Sequence, residues 1–257
     1  MIVRAPATSA NLGPGFDSAA VALDLWNELE VTDGDGVVVE GEGAAELPAD
    51  ETNLAVRAFA LVHDSSGKRF RFVNRIPLER GLGSSAAAIA LGLAAARPDA
   101  DPEELLAIGR TLESHADNLA AALVGGVTLT WDGRIARIAD ALPLTPVAVV
   151  PRERTSTEAA RRSLPSTVTH AAGATAGDAT LFAAGLDDRL HEPYRPSAVL
   201  DGVRDDLPPG ARGATLSGSG PTVIVWADDA GRCAAALAER FPADDVLTLA
   251  VSERGAL

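Results

Sequence analysis

The 257 residues carry 36 acidic and 22 basic side chains, which gives a net charge of −14. This acidic excess argues against a protein that binds nucleic acid or an anionic membrane, because both surfaces favour a basic protein face. Hydrophobic residues make up 47% of the chain, enough for a buried core, and the sole cysteine, Cys233, excludes an intrachain disulfide.

The chain contains no run of 18 apolar residues, and its start, MIVRAPATSANLG, lacks the apolar block of a secretory signal. We therefore expect a cytoplasmic protein without a membrane or nucleic-acid partner.

In the first half of the chain, strands are predicted at IVRAP, AAVALDLWNELEV and GVVVEG. A helix is predicted in DETNLAVRAFALVHD, and a strand follows at RFRFVNRIPL. Helices are predicted at Ser85–Ala96, Pro102–Leu112 and Ala116–Leu123, the last of them ended by Gly125 and Gly126. VTLTW and RIARI, separated by DGR, predict a hairpin.

The second half begins with a predicted strand at PVAVVP and predicted helices near 156–163 and 178–187. Strands at GATLS and TVIVWA, a helix at Gly231–Arg240 and a strand at DVLTLAV follow. This order mixes strand pairs with helices and does not repeat a strand–helix unit. It predicts an α+β protein in two lobes, with domains 1–143 and 144–257 joined near Ala141–Pro146.

The segment PLERGLGSSAAAIALGL places a Gly-Leu-Gly-Ser-Ser turn directly before an alanine-rich helix. A helix start exposes unpaired backbone N–H groups and the positive end of the peptide dipoles, so it favours an anion such as phosphate. An ordinary loop in which Ser84 or Ser85 caps the helix explains the same residues. The segment alone leaves both interpretations open.

Two common nucleotide motifs do not fit. GLGSSA matches the loose form of a dinucleotide-binding turn, but Asp99 and Asp101 follow a predicted helix where that motif needs an acid at the end of a second strand. SSGKRF has Gly-Lys without the upstream glycine or the following Ser or Thr of a P-loop. A different kind of ATP site remains.

Two further loops are rich in glycine and small polar residues: PATSANLGPGFDS (Pro6–Ser18) and the ATLSGSGPTVIV segment that begins at Ala214. Three such loops from distant parts of the chain are what a composite phosphate site needs. In this order they resemble the three motifs of the GHMP small-molecule kinases, over nearly the whole chain. Within that superfamily, ANLGPGFD, SHADNLAAALVGG, STEAARRSLP and DDRLHEPYR resemble the homoserine kinases.

The resemblance implies a two-lobed GHMP kinase fold, with an N-terminal β-α-β nucleotide lobe and a C-terminal ferredoxin-like lobe. It implies transfer of phosphate from ATP to the hydroxyl of L-homoserine, giving O-phospho-L-homoserine for threonine synthesis, with Mg²⁺ held by Ser85 and Glu113. It places the nucleotide at the following residues: Asn53, Pro77, Arg80, Gly81, Leu82, Gly83, Ser84, Ser85, Ala86, Gly218, Ser219 and Gly220. A helix cap beside Thr52 is the alternative for Asn53.

For the substrate, the resemblance implies that Asp17 meets the ammonium, Asn11 the hydroxyl, and Arg161 and Arg195 the carboxylate. A guanidinium suits a carboxylate because it can donate two parallel hydrogen bonds. Thr157 is expected to add a hydroxyl contact. The resemblance assigns His115 and Asn118, with Asn11, to positioning of substrate or phosphate, and gives Asp117 no definite role.

The chain departs from the family pattern in two shortened stretches, 94–106 and 171–184, which bear on helix packing and on any homodimer contact. A homodimer is kept as a hypothesis. One alternative function is a GHMP kinase for another hydroxylated metabolite, such as a mevalonate-type alcohol. The other is a non-catalytic metabolite sensor on the same fold, although Ser84, Ser85 and Glu113 are all present.

Overall fold

The computed structural model describes residues 1–113, 116–154 and 179–257, and in these ranges the strands form two sheets. The strands are β1 (Ile2–Ala10), β2 (Ala19–Asp33), β3 (Gly36–Gly41), β4 (Lys68–Asn74), β5 (Val127–Trp131), β6 (Arg134–Ala139), β7 (Thr145–Val150), β8 (Ala211–Leu216), β9 (Val223–Ala227) and β10 (Asp245–Thr248). The helices are α1 (Leu54–Ala60), α2 (Ser84–Ala96), α3 (Pro102–Gly109), α4 (Ala116–Val124), α5 (Ala179–Ala184), α6 (Ala198–Asp205) and α7 (Ala230–Arg240). A 3₁₀ turn, Glu192–Tyr194, lies between α5 and α6.

The first sheet has the order β3-β4-β2-β5-β6, and β1 pairs along the other edge of β2. Strands β3 and β4 are parallel, and the other pairs are antiparallel. Helix α2 is buried along nearly its whole length in the main core, where it packs against α1, α4 and β1. Alanine side chains are small, so neighbouring elements can approach this helix closely. The helix is also apolar on every side, which is typical of a helix in a protein interior.

The first strand is longer than predicted. β1 continues to Ala10, with an irregularity between Pro6 and Ala7, because residues 7–10 pair with β2 at Ala20–Leu23. All of PATSA is therefore strand, and the entry loop begins only at Asn11. Thr8 and Ser9 are fixed by the sheet rather than carried on a loop.

The helix predicted at Pro102–Leu112 ends at Gly109. Beyond that point, Leu112 N donates to Gly109 O at 2.9 Å and the Thr111 hydroxyl donates to Ile108 O at 2.7 Å. These short-range bonds tighten the turn after α3, although Glu113 N also donates to Gly109 O.

The second sheet has the antiparallel order β10-β7-β9-β8. Along the chain, α5 and α6 lie between β7 and β8, β9 follows β8 directly, and α7 lies between β9 and β10, which agrees with the ferredoxin-like prediction. Both faces are buried. Ala148, Ile224 and Trp226 face the main core, whereas Val147 and Val225 pack in a second cluster with residues of α6 and α7. The predicted two-lobed α+β fold is confirmed.

The chain returns to the first lobe at its end. Val251 forms a bridge with Leu23 of β2, and Ala256 N donates to Ala122 O of α4 at 2.8 Å. The strand predicted at DVLTLAV therefore ends at Thr248. Leu249 N still donates to Pro146 O of β7 at 3.0 Å, but the residues from Ala250 on bond to β2 of the other sheet. Among the described residues, the helices are all too short or too polar to cross a membrane.

Candidate active site

The three glycine-rich loops meet between the two lobes. Thr8 N in β1 donates to Leu82 O in the loop before α2 at 3.1 Å. Gly218 N, in the loop between β8 and β9, donates to Ala10 O at the end of β1 at 3.2 Å. Segments more than 70 residues apart along the chain thus share one backbone network, as a composite site requires.

Gly81 brings the second and third loops into direct contact. A Cβ at this position would lie 2.3 Å from the carbonyl oxygen of Ser217, and φ is +78°. The Ser217 hydroxyl donates to Gly81 O at 2.7 Å and lies 2.9 Å from the Ser9 hydroxyl. Thr222 N also donates to Arg80 O at 3.1 Å. Only glycine fits at position 81, because a side chain there would force the two loops apart.

Helix α2 begins without a side-chain cap. Its N-cap residue is Gly83, with φ +67°, and within the described part of the chain it has no side-chain cap hydrogen bond. Neither Ser84 nor Ser85 is the cap, since both lie inside the first turn, where Ser84 is half-buried and Ser85 exposed. A serine cap is therefore not the reason for this sequence, and a helix start of this kind suits an anion; phosphate binding there stays a prediction.

Thr8 and Asn118 lie directly beneath this helix start. The Thr8 hydroxyl donates to Asn118 Oδ1 at 2.7 Å, and a Cβ on Gly83 would lie 1.9 Å from that hydroxyl oxygen. Asn118 N donates to the buried Asp117 carboxylate at 2.8 Å. Sequence reasoning missed Thr8, although its place at the end of a strand, ahead of the entry loop, was a usable signal. His115 lies outside the described residues.

A cavity of about 250 Å³ opens beside the same helix start. Its walls are largely apolar, and its polar groups include Asn53, Ser84 and Ser85. The apolar walls comprise Leu47, Pro48, Leu54, Phe72, Leu78 and Leu91. A mostly apolar cleft with a few polar groups, joined to an uncapped helix start, suits a planar base carrying phosphates.

Asn53 has a structural role in this cavity wall. It is the N-cap of α1, where its Oδ1 accepts from Ala55 N at 3.1 Å and its Nδ2 donates to Pro48 O at 2.9 Å. The helix-cap interpretation therefore holds, and the same side chain also lines the cavity. Its contact with adenine stays a prediction.

Two predicted substrate residues, Asn11 and Arg195, contact the β8–β9 loop, and a third, Asp17, is bonded to Asn11. Asn11 Nδ2 donates to Gly218 O at 2.9 Å, and Arg195 Nη1 donates to the same oxygen at 3.0 Å. Asp17 N donates to Asn11 Oδ1 at 3.1 Å, and the Asp17 side chain is exposed. The structure thus brings together side chains that are separated by up to 184 positions in sequence.

The entry loop holds Asn11 in an unusual conformation. Asn11, Leu12 and Gly13 have φ values of +74°, +43° and +74°. Asparagine tolerates this region better than most residues, but a leucine there is strained by an energy on the order of 1 kcal/mol. The bonds that fix the Asn11 carboxamide at both ends help to hold the loop in this form.

Two family models match large parts of the chain. The GHMP kinases N terminal domain model matches residues 53–126, and the GHMP kinases C terminal model matches residues 171–243. Together they match more than half of the chain. The chain belongs to the GHMP kinase family.

Within this family, the chain is similar to homoserine kinases. The homoserine kinase of Streptomyces avermitilis is 39% identical, over 89% of this chain and 86% of that protein. The crystal structure of homoserine kinase from Cytophaga hutchinsonii has a TM-score of 0.78 at 25% identity and covers 99% of this chain and 96% of that one. The resemblance stated from the motifs is confirmed. Mevalonate kinase from Methanococcus jannaschii covers 98% of each chain with a TM-score of 0.71 at 13% identity, which shows a shared fold alone.

The predicted magnesium residues of this GHMP kinase lie at the start of α2 and in the turn after α3. Ser85 is the second residue of α2, and Glu113 is half-buried four residues after the end of α3, where its N–H donates to Gly109 O at 3.1 Å. Their joint role in binding the metal stays a prediction. Pro77, Leu82, Ala86, Ser219 and Gly220 lie in or beside the convergent loops. Thr157 and Arg161 lie outside the described residues.

Behind the β8–β9 loop, an ion pair between the buried Glu192 and the exposed Arg204 fixes the 3₁₀ turn to the second sheet. Glu192 Oε1 accepts from Leu216 N at 2.7 Å, and Glu192 Oε2 accepts from Arg204 Nη2 at 2.5 Å. Arg204 Nη2 also donates to Ala214 O at 2.9 Å. Burial raises the pKa of Glu192 to about 7, although Arg204 and the Leu216 N–H favour its charged form. Sequence reasoning missed this pair, which nothing local in the sequence indicates.

Proposed function

We propose that this protein transfers the γ-phosphoryl group of ATP to the hydroxyl of L-homoserine, forming O-phospho-L-homoserine, a step in threonine synthesis. The observation that carries the proposal is the convergence of Asn11, Asp17 and Arg195 around the β8–β9 loop, which itself contacts the loop before α2. The proposed acceptor-binding residues thereby lie close to the loop to which the proposal assigns the phosphates. The similarity to homoserine kinases over most of the chain supports this choice of acceptor.

On the donor side, the uncapped start of α2 supplies N–H groups for the phosphates, and the cavity of about 250 Å³ accommodates the base. Gly81 and Gly83 allow the β8–β9 loop and β1 to pack closely against the loop before α2, because neither carries a side chain, and this packing supports the proposed phosphate site. Positioning is the main task of the protein in phosphoryl transfer, since the transition state is loose and needs little covalent assistance.

Ser85 and Glu113 would hold Mg²⁺. A hydroxyl and a carboxylate are the hard oxygen donors this ion prefers, and the exposed position of Ser85 at the helix start leaves room for phosphate oxygens and water to complete the set. When bound, the ion neutralises charge on the phosphates.

On the acceptor side, Arg195 binds the carboxylate, Asp17 binds the ammonium, and Asn11 orients the hydroxyl. In the reaction, the hydroxyl oxygen forms a bond to the γ-phosphorus, and the bond from that phosphorus to the bridging oxygen of ADP breaks. The hydroxyl proton passes to a phosphate oxygen, so no side-chain base is required. Asp117 supports Asn118 through the backbone, which is consistent with a positioning role.

A coupled ADP-release assay with Mg·ATP tests the proposal, comparing L-homoserine with mevalonate, L-serine and L-threonine. Strong selectivity for L-homoserine is expected. Turnover with mevalonate alone would discard the acceptor pocket but keep the kinase. No turnover with any acceptor would favour a metabolite sensor. A cytoplasmic location and a homodimer stay predictions.

A further inference from the structure

His191 is the only histidine of the DDRLHEPYR segment, and it is completely buried beside the proposed carboxylate-binding arginine. Its Nδ1 lies 3.1 Å from Arg195 Nη1. On the other side of the ring, Nε2 lies 3.3 Å from Gly13 O and 3.3 Å from Asp188 Oδ2. The imidazole therefore connects the entry loop to the arginine.

The partners determine the tautomer. A guanidinium can only donate hydrogen bonds, so the contact with Arg195 requires Nδ1 of His191 to be an unprotonated acceptor. The proton of the neutral ring is then on Nε2, where two oxygen acceptors face it. Burial of the imidazole lowers the pKa of His191 to about 4, which agrees with a neutral ring.

This contact fixes the orientation of the guanidinium. Nη1 of Arg195 carries two protons, and the acceptors His191 Nδ1 and Gly218 O take both. The Phe16 ring lies with its centroid 5.6 Å from the guanidinium carbon and 5.3 Å from the His191 ring centroid. With its plane set by two acceptors and an aromatic ring, the guanidinium presents its Nε–Nη2 edge in one direction.

A cation site formed by Asp188, His191 and Glu192 is the competing interpretation, since their possible ligand atoms lie within 4.8 Å of one another. Hydrogen-bond donors already occupy this cluster. Asp188 accepts from the backbone N–H groups of Leu190, His191 and Glu192, and both Glu192 oxygens have partners. The carboxylates serve as caps and braces for the 3₁₀ turn.

We propose that His191 is a positioning residue that uses Nδ1 to orient Arg195 toward the carboxylate of the acceptor. The inference rests on the proposed function and adds a residue to which the motif resemblance assigned no role. His191 does not touch the reacting atoms. Its effect falls on acceptor affinity and on selectivity for a carboxylate.

Two substitutions separate the two ring nitrogens. The carboxamide oxygen of His191→Asn can occupy the Nδ1 position and accept from Arg195, whereas His191→Gln reaches the Nε2 position and removes the Nδ1 acceptor. Loss of one buried hydrogen bond to a charged group corresponds to about tenfold or more in affinity. We expect His191→Gln to raise the KM for L-homoserine by about that factor, with kcat and the KM for ATP little changed. His191→Asn should stay within about threefold of the unsubstituted protein.

Selectivity between acceptors with and without a carboxylate gives a second readout, because general destabilisation of the protein would lower activity with both acceptors alike. His191→Gln should lose much of the preference for L-homoserine over 3-aminopropan-1-ol, which lacks the carboxylate, and His191→Asn should retain it. Equal losses in both variants, or an unchanged KM in His191→Gln, would overturn the positioning role. If the unsubstituted protein does not phosphorylate L-homoserine, the proposed function fails first, and the two failures are thereby distinguished.

A measurement on the unsubstituted protein covers the case in which a variant does not fold. ¹⁵N NMR of protein labelled at histidine should show one ring with an unprotonated Nδ1 and a protonated Nε2 at pH 6. The signals of this ring are assigned to His191 if they disappear in His191→Asn or His191→Gln. If no histidine ring shows this tautomer, Nδ1 cannot accept from Arg195 and the inference is wrong.

Discussion

Replacement of Gly83 by alanine tests the close packing beneath the proposed phosphate site. The new Cβ would lie 1.9 Å from the Thr8 hydroxyl oxygen and 3.2 Å from both Thr8 Cβ and Asn118 Oδ1. The first of these distances is impossible between two atoms that are not bonded to each other. The Thr8 side chain must therefore rotate, which breaks its 2.7 Å hydrogen bond to Asn118.

Two costs add in this variant. An alanine at φ +67° loses about 1 kcal/mol relative to glycine, because its Cβ crowds the backbone in the left-handed region. Loss of the hydrogen bond from Thr8 to Asn118, together with the displacement of the side chain, costs about 1–2 kcal/mol more. The expected loss in the free energy of unfolding is therefore about 2–3 kcal/mol.

Gly67 provides a matched control, because it has the same φ of +67° but no heavy atom within 4 Å of the point that a Cβ would occupy. Gly67→Ala should lose only the backbone cost of about 1 kcal/mol. Urea unfolding followed by circular dichroism measures both variants, and thermal shift with Mg·ATP reports nucleotide binding. Gly83→Ala should lose the shift, whereas Gly67→Ala should keep it. Equal unfolding free energies for the two variants would refute the packing argument.

Three other predictions follow from the same site. Ser85→Ala should retain the fold, since the side chain is exposed, and should reduce turnover and change its dependence on magnesium concentration in the ADP-release assay. Unchanged magnesium dependence would remove Ser85 from the metal site. Arg195→Lys keeps the charge but not the planar fork, so the KM for L-homoserine should rise by about tenfold, with the KM for ATP unchanged. The pKa of Glu192, raised to about 7, means that the folded protein retains a proton between pH 4.5 and 7 that the unfolded chain releases. The contribution of Glu192 to stability is thus present below pH 4.5 and falls as pH rises through 7, by roughly 3 kcal/mol in all. Glu192→Gln should flatten this dependence in urea unfolding between pH 4.5 and 7, and identical pH slopes in the two proteins would contradict it.

Local sequence signals predicted the elements well where neighbouring residues determine structure. GVVVEG is strand β3 as predicted, and Gly125 and Gly126 follow the end of α4. The errors lie where distant residues decide the outcome. β1 continues to Ala10 because β2 pairs with it, and β10 stops at Thr248 because the chain crosses to the first sheet.

The candidate site shows the same division. The motifs indicated Asn11, Asp17 and Arg195 before the structure brought the three together. Sequence alone could not show that Thr8 supports the start of α2, or that Glu192 bonds Arg204, because both contacts depend on packing between distant segments. A buried hydrogen bond leaves little trace in composition or periodicity.

The central claim is that Arg195 binds the carboxylate of a homoserine-type acceptor in a kinase active site. The most direct test compares L-homoserine with 3-aminopropan-1-ol as acceptors for the unsubstituted protein and for Arg195→Ala, with ADP release as the readout. We expect the unsubstituted protein to prefer L-homoserine by about a hundredfold in kcat/KM and Arg195→Ala to lose most of that preference. An equal preference in both proteins would show that the carboxylate is bound elsewhere and would contradict the assignment of this pocket.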